Sequence, residues 1–385
     1  MTIQKVDLLQ ELVLIPSGTA NISGVNAVQF LVQKKLDSLG FKTSMTANPI
    51  NENHSGLLLQ GVFGDPGSSP LITLVTHADT VYETESQFEG FRQSSNRKTA
   101  TGPGTIDDKG GIVIALSALE DLIKENGSAP IRFICSPSEE IGSPGFHQIF
   151  KKYSKDSWMI LGLEPSMPDG SIIESRRGNR WYHIKTEGKE AHAGRAHKEG
   201  VNAGHELAIK LDRLQRLTDY GKNITVSLGW LSGGQNKYNI VCGNAEAKID
   251  TRFPDFKQRD KLHLKIEKIL KTNYVRSHLT REKVKTHFTV ADDCPPFSTS
   301  LVSKPFLNEY LKILKSIEKR RIKSIKSGGS ADVNYMSREG LICLDGLGPT
   351  GGELHSNKEF ITLESLETRT KALAQFLKYA ISHRK

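Results

Sequence analysis

The sequence predicts an α/β protein: a mostly parallel-sheet domain into which a smaller, ferredoxin-like α+β domain is inserted. Three observations predict it. Over the first 175 residues, apolar runs of strand length alternate with helix-length stretches, the order that builds a mostly parallel sheet. Composition and element order change after Arg177, where 178–295 reads strand, helix, strand, strand, helix, strand, the βαββαβ pattern. Helix-like and strand-like segments then return over 296–385. The division expected is a discontinuous domain, 1–177 plus 296–385, interrupted by 178–295.

Each element has a local reason. Strands are predicted at 71–75 (LITLV), 131–135 (IRFIC) and 158–163 (WMILGL), short apolar runs bounded by polar turns. Helices are predicted at 6–14, 25–39 and 111–124. In the last of these, Ile112, Ala115, Leu116, Leu119 and Ile123 recur at helical spacing. In the insertion, WYHIKTEG, ITVSLGWLSGG, AEAKIDTRF and KVKTHFTV read as strands. Two helices, GVNAGHELAIKLDRLQR and KQRDKLHLKIEKILKTN, lie between them. Residues 303–320 and 362–381 read as helices, with LICLDGLG at 341–348 as one more buried strand.

At 385 residues, with 37% apolar and 25% charged residues, the chain can bury a sizeable core, and wholesale disorder is excluded. No apolar run approaches the roughly 20 residues needed to span a bilayer, so no membrane partner is expected. Residues 1–18 carry Lys5, Asp7 and Glu11 and contain no clean apolar stretch, which argues against a signal peptide and for a cytoplasmic protein. Cys135, Cys242, Cys294 and Cys343 are far apart, with no CxxC pair. They read as reduced, mostly buried thiols.

The residues that carry chemistry cluster where predicted strands end. His77 and Asp79 follow LITLV, and residues two apart in an extended chain project to the same side. A carboxylate beside an imidazole orients it and raises its basicity, a common support for a metal-bound histidine. A Gly-rich turn, GPGTIDDKGG, brings Asp107 and Asp108 into a helix start. One Asp serves as an ordinary cap, whereas two set among glycines ask for more. SPSEEIGSPG places Glu139 and Glu140 after IRFIC, GLEPS places Glu164 after WMILGL, and a glycine loop after LICLDG leads to His355. In open α/β sheets ligands collect at the carboxyl ends of strands.

Two imidazoles and three carboxylates suit a pair of divalent ions, zinc first and cobalt or manganese as alternatives. With Asp107 bridging, one ion takes His77, Asp107 and Glu164, and the other Asp107, Glu140 and His355. Glu139 is then left over, as a general base should be.

Together these motifs resemble the di-zinc peptidases and deacylases, a family that includes glutamate carboxypeptidases of the carboxypeptidase G type, acetylornithine deacetylases and succinyl-diaminopimelate desuccinylases. The resemblance spans nearly the whole chain. It rests on HADTVYE, TGPGTIDDKGG, SPSEEIGSPG, GLEPS and LHSNKEF. It implies the same assignments: His77, Asp107, Glu140, Glu164 and His355 as ligands, Asp79 as orienting partner and Glu139 as base. It further implies a cis peptide between Asp107 and Asp108. GKEAHAGRAHKEGVNA resembles the segment whose histidine, here His192, reaches a partner subunit's active site and helps polarise the scissile carbonyl. YNIVCGNAEAKIDTRFPD resembles the stretch in which Asn239 and Arg252 bind the substrate carboxylate, and a guanidinium matches a carboxylate in bidentate fashion. SGGSAD resembles a glycine turn beside the substrate, with Gly328 and Gly329 allowing close backbone approach. A homodimer, paired through the inserted domain, is also implied.

The function expected is metal-dependent hydrolysis of an amide bond next to a free carboxylate, releasing a C-terminal amino acid such as glutamate from a small peptide or N-acyl substrate. GLEPS, RRGN, SGGSAD and GLGPTGGELHS together favour the carboxypeptidase G type. An N-acyl-amino-acid or N-succinyl deacylase is the alternative. The net charge of +9 agrees with acidic substrates. The basic stretch KSIEKRRIKSIKSG and the lysine-rich helix near 257–271 also permit a nucleic-acid surface. Few aromatics interleave with those charges, so no nucleic-acid partner is expected. A catalytically dead scaffold is disfavoured because every ligand type and the base are present.

Overall fold

The computed structural model describes residues 4–64, 71–83, 90–126 and 129–384. By internal contacts the chain divides into two compact units, Met1–Arg176 with Ser298–Lys385, and Arg177–Phe297.

The first unit is built on a six-stranded sheet. Its order is Lys42–Thr46, Leu58–Phe63, Ile131–Ser136, Leu71–His77, Ser157–Gly162 and Ile342–Leu344. The last four strands run parallel, and the first two are antiparallel. Leu71–His77 and Ile131–Ser136 are buried at every position. Central parallel strands are covered on both faces, which is why these read as unbroken apolar runs rather than alternating ones. The two antiparallel strands were not predicted. Lys42–Thr46, KTSMT, is an edge strand of exposed and half-buried residues and carries no apolar run to read.

Helix Lys109–Asn126 was expected to bury one face, but it is apolar almost all round. Val113, Ile114, Ala118 and Leu122 are buried as fully as Ile112, Ala115, Leu116 and Leu119. It packs against helices Lys5–Val13 and Leu363–Ser382, which close that side of the core. A helix sandwiched between a sheet and other helices loses its polar face, and its pattern then shows little amphipathic contrast. The unit also holds a small antiparallel sheet in the order Gly351–Gly352, Phe360–Thr362, Thr99–Thr101 and Arg92–Gln93, and the parallel pair Ile172–Arg176 and Ser324–Ser327.

The second unit is a four-stranded antiparallel sheet in the order Thr225–Gly233, Asn244–Phe253, Gly178–Glu187 and Lys285–Cys294. In the unit's own numbering that order is 2-3-1-4, the ferredoxin-like arrangement. Asn244–Phe253 alternates buried with less buried positions, so one face turns inward. Ala247, Ile249 and Phe253 on that face pack with Leu207, Leu211 and Leu214 of helix Ala203–Gln215. Leu262, Ile266 and Leu270 of helix Phe256–Lys271 join the same core. Both helices start at a side-chain cap: Asn202 accepts the His205 amide at 2.9 Å, and Asp255 that of Gln258 at 2.7 Å.

Cys135, Cys294 and Cys343 are buried and Cys242 is half-buried. Among the described residues, no helix is long and apolar enough to cross a membrane.

Candidate metal centre

Within the first unit, three strands of the parallel sheet deliver their carboxyl ends to one place. His77 ends Leu71–His77, Glu139 and Glu140 sit in a short 3-10 turn just after Ile131–Ser136, and Glu164 follows Ser157–Gly162. His355 arrives on the glycine loop eleven residues after Ile342–Leu344. Asp107 departs from expectation. It comes off Thr99–Thr101 of the small antiparallel sheet, not off a strand of the central one. The Gly-rich turn then carries it across to the mouth of helix Lys109–Asn126. The peptide between Asp107 and Asp108 is cis, as the resemblance implied.

The five residues converge. His77 Nε2 is 3.1 Å from Asp107 Oδ1 and 3.8 Å from Glu164 Oε1. His355 Nε2 is 3.4 Å from Asp107 Oδ2 and 3.5 Å from Glu140 Oε2. The two oxygens of Asp107 therefore face two separate groups, His77 with Glu164 on one side and His355 with Glu140 on the other. Ligand atoms of His77, Asp107 and Glu140 lie within 4.8 Å of one another, as do those of His77, Glu139 and Glu164.

These distances fit divalent ions. Two ligand atoms on a tetrahedral zinc, each about 2.0–2.1 Å from it, stand roughly 3.3 Å apart. The four separations above bracket that value. His77 Nδ1 faces the main-chain oxygen of Asp79 at 3.0 Å, an atom that only accepts, so this nitrogen carries a proton. In the neutral ring Nε2 is then a lone pair aimed at a carboxylate. Two acceptors in that position require a shared proton or a cation.

The electrostatics point the same way. Burial, reinforced by the Asp107 charge, pushes Glu140 up to about 8 and Glu164 up to about 8. Burial and then Glu164 hold Glu139 well above the usual carboxylate range. Burial works against charge on His77, yet Asp107 and Asp79 carry it well above the ordinary histidine value. The hydrogen bond to Asp107 raises His355 to about 9. Asp107 is the exception: burial opposes its ionisation, but His355 and His77 hold it well below the usual range. Without cations the cluster retains protons to offset crowded negative charge, and such a site exchanges those protons for bound metal.

Supporting residues lock the ligands. Asp79 is fully buried, and its carboxylate lies 3.3 Å from His77 Nδ1. It also accepts the amides of Glu139 at 3.0 Å and Glu140 at 3.3 Å, so it fixes the carboxylate turn as well as the imidazole. Asp108 accepts the His77 amide at 3.3 Å through Oδ2. Gly111 leaves it room, since a Cβ there would stand 2.0 Å from Asp108 Oδ1. Glu359, which the sequence did not single out, is fully buried and accepts the amides of Ile106 at 2.9 Å and Asp107 at 3.4 Å. Its only local signal is its place four residues after His355. Glu353 and His355 both hold left-handed backbone, with φ of 58° and 59°. Such conformations cost on the order of 1 kcal/mol each in non-glycine residues and gather at functional sites.

The remaining predicted residues lie elsewhere. Gly328 and Gly329 are exposed in the first unit, after strand Ser324–Ser327. A Cβ on Gly329 would meet nothing closer than 3.8 Å, so its main chain is open to approach. The second unit holds His192, Asn239 and Arg252. His192 and Asn239 are both exposed; His192 pairs with Ile240 in a small antiparallel bridge, beside which the Ala193 amide donates to the Asn239 oxygen at 2.9 Å. His192 Nδ1 accepts the amides of Gly194 and Arg195 at 3.2 Å, which leaves the proton on Nε2 as an outward donor. Arg252 is half-buried and pairs with Asp250 at 3.0 Å within its own strand.

Comparison with known proteins agrees with this geometry. Residues 73–379 match the sequence model of peptidase family M20/M25/M40. The chain is 26% identical over 381 residues to carboxypeptidase G2 of Pseudomonas sp. (strain RS-16), covering 97% of this chain and 88% of that protein. It is 25% identical over 350 residues to succinyl-diaminopimelate desuccinylase of Rickettsia rickettsii, covering 86% and 88%. In fold it is similar to a tripeptidase from Staphylococcus aureus, with a TM-score of 0.76 at 21% identity over 99% of this chain and 98% of that one. With a family match over most of its length and a cluster of side chains able to ligate a metal, gathered around His77 and Asp107, the chain belongs to peptidase family M20/M25/M40 and is a metallo-peptidase or amidohydrolase.

Proposed function

We propose that the protein hydrolyses an amide bond next to a free carboxylate and releases a C-terminal amino acid, glutamate being the first candidate. The observation that carries this reading is the split of Asp107. Its two oxygens address His77 with Glu164 and His355 with Glu140, a layout for two ions sharing one carboxylate.

His77, Asp107 and Glu164 would hold one divalent ion, and Asp107, Glu140 and His355 the other; zinc fits the donor set, with cobalt or manganese as substitutes. When bound, the ions lower the pKa of water and polarise the carbonyl of the scissile amide. Glu139, outside both ligand sets, takes the proton of the attacking water and returns it to the departing amine. Asp79 keeps His77 oriented and the Glu139 turn in place. Under this proposal His192 donates from Nε2 to the scissile carbonyl in the second copy of a homodimer, and Arg252 and Asn239 bind the substrate carboxylate. The open main chain at Gly328 and Gly329 lies along the substrate. The first unit is thus the catalytic domain and the second the dimerisation domain of a cytoplasmic enzyme.

A second reading has support from the desuccinylase relative: the same chemistry acting on N-succinyl or N-acyl amino acids. One screen separates the two. Zinc-loaded protein is offered N-acylglutamates, dipeptides and N-succinyl amino acids, and the released amino acid is scored. The expected result is release of glutamate from N-acylglutamates, stopped by a chelator and restored by zinc. Turnover confined to N-succinyl substrates supports the second reading. Equal turnover of substrates whose carboxylate is blocked contradicts both.

A further inference from the structure

The carboxylate of Asp79 accepts three hydrogen bonds. Oδ1 accepts the Glu139 amide at 3.0 Å and lies 3.3 Å from His77 Nδ1, whose proton goes to the Asp79 main-chain oxygen at 3.0 Å. Oδ2 accepts the Glu140 amide at 3.3 Å and the hydroxyl of Thr19 at 2.7 Å. Two of these donors are the amides of the Glu139–Glu140 turn. The third, and the shortest contact, comes from a residue sixty positions earlier in the chain.

Thr19 is itself held firmly. It is 6% exposed. Its amide donates to the Thr80 oxygen at 3.1 Å, and the Thr80 amide donates to the Ser17 oxygen at 2.9 Å, so residues 17–19 pair with the chain just beyond Asp79. Next to it, the Ala20 amide is gripped by the Glu83 carboxylate at 3.0 and 3.1 Å. Asn21 caps the helix Ile22–Ser38 by accepting the Gly24 amide at 3.1 Å. On the other flank the buried Lys109 donates to the Ile15 oxygen at 2.9 Å. The segment from 15 to 21 is therefore a strap tied at both ends, and the Thr19 hydroxyl joins it to the cluster through Asp79.

We propose that Thr19 is a positioning residue of the hydrolytic reaction: its hydroxyl fixes the Asp79 carboxylate, and through it the Glu139–Glu140 turn and the His77 imidazole. The proposal rests on the reading of Glu139 as proton carrier and Glu140 as ligand. The physical reason is a count of donors. Without the hydroxyl, Oδ2 of a buried charge keeps only the long contact to the Glu140 amide. Leaving a buried acceptor under-bonded costs free energy, and the carboxylate recovers it by turning. Any rotation lengthens the bond to the Glu139 amide and shifts the base. Polar groups that orient metal ligands typically account for 10–100-fold in affinity or activity.

The test compares Thr19→Val, which keeps the shape without the donor, with Thr19→Ser, which keeps the donor. Thr19→Ala takes the place of Thr19→Val if the latter does not fold. Two readouts are taken on the full chain: hydrogen exchange of the Glu139 and Glu140 amides, with and without zinc, and kcat against KM on an N-acylglutamate. The expected result for Thr19→Val is a kcat lower by about 10-fold or more with KM within about twofold, and faster exchange at those amides in both states. Thr19→Ser should stay within about threefold of the parent on each measure. The proposal is overturned if Thr19→Val leaves exchange and kcat unchanged, if kcat falls while the two amides stay as protected as before, or if Thr19→Ser falls as far as Thr19→Val. If the parent hydrolyses no offered substrate, the reading of function fails, while the exchange comparison in the zinc-free chain still decides the role of Thr19.

Discussion

Replacing Glu139 by Gln is expected to lower kcat by about 10² to 10⁴-fold while both metal positions stay filled, because general acid–base assistance is worth that much. The substitution keeps the shape and leaves the Glu139 amide bonded to Asp79, so the carboxylate turn is not disturbed. What is lost is the ability to take a proton from water and to give it to the amine. Steady-state kinetics together with metal analysis of the purified variant check this. Near-normal turnover removes Glu139 from the role of base. A loss of metal along with activity assigns it instead to the ligand group it forms with His77 and Glu164.

Asp107 is expected to show the largest effect on metal binding, and its neighbour a much smaller one. Asp107→Ala removes the oxygens facing both His77 and His355, so both positions lose a ligand at once. It also leaves His77, Glu140 and Glu164 crowded without the anion that pairs with both imidazoles. Affinity should fall at both positions by more than the 10–100-fold typical of groups that only support ligands, and hydrolysis should drop to background. Asp108→Asn is the control. Asp108 is fully buried and accepts the His77 amide through Oδ2, and burial holds its pKa well above the usual carboxylate range. An amide in its place keeps that acceptor and adds no charge. Two metals per chain should therefore survive in Asp108→Asn. Calorimetric zinc titration of the two variants measures the contrast; equal losses in both would remove the special role of Asp107.

Much of this arrangement is legible in the sequence because the chemistry sits at strand ends. Apolar runs as uniform as LITLV and IRFIC announce buried parallel strands, and the polar residues that follow must emerge at one edge of the sheet. That reasoning placed His77, Glu139, Glu140 and Glu164 on a common edge. It misplaced Asp107, whose preceding strand, TAT, is three residues long and pairs in a different sheet. It also missed the antiparallel strand Leu58–Phe63, which is extended for reasons of pairing rather than pattern. Thr19 left no readable trace, and Glu359 only its place four residues after His355. Each acts through one hydrogen-bonding atom delivered from far along the chain, and a lone Thr or Glu in a polar segment looks the same whether it faces solvent or a buried amide. The ion pair of Arg252 with Asp250 was likewise invisible, although the two residues are only two apart on one strand.

The central claim is that five side chains spread from position 77 to position 355 hold two cations around one shared carboxylate. Anomalous diffraction from crystals grown with zinc measures this directly. Two peaks per chain are expected, both within coordination distance of Asp107, one shared with His77 and Glu164 and the other with Glu140 and His355. A single peak that leaves His77 or His355 without a metal contact, or peaks away from Asp107 altogether, would contradict it.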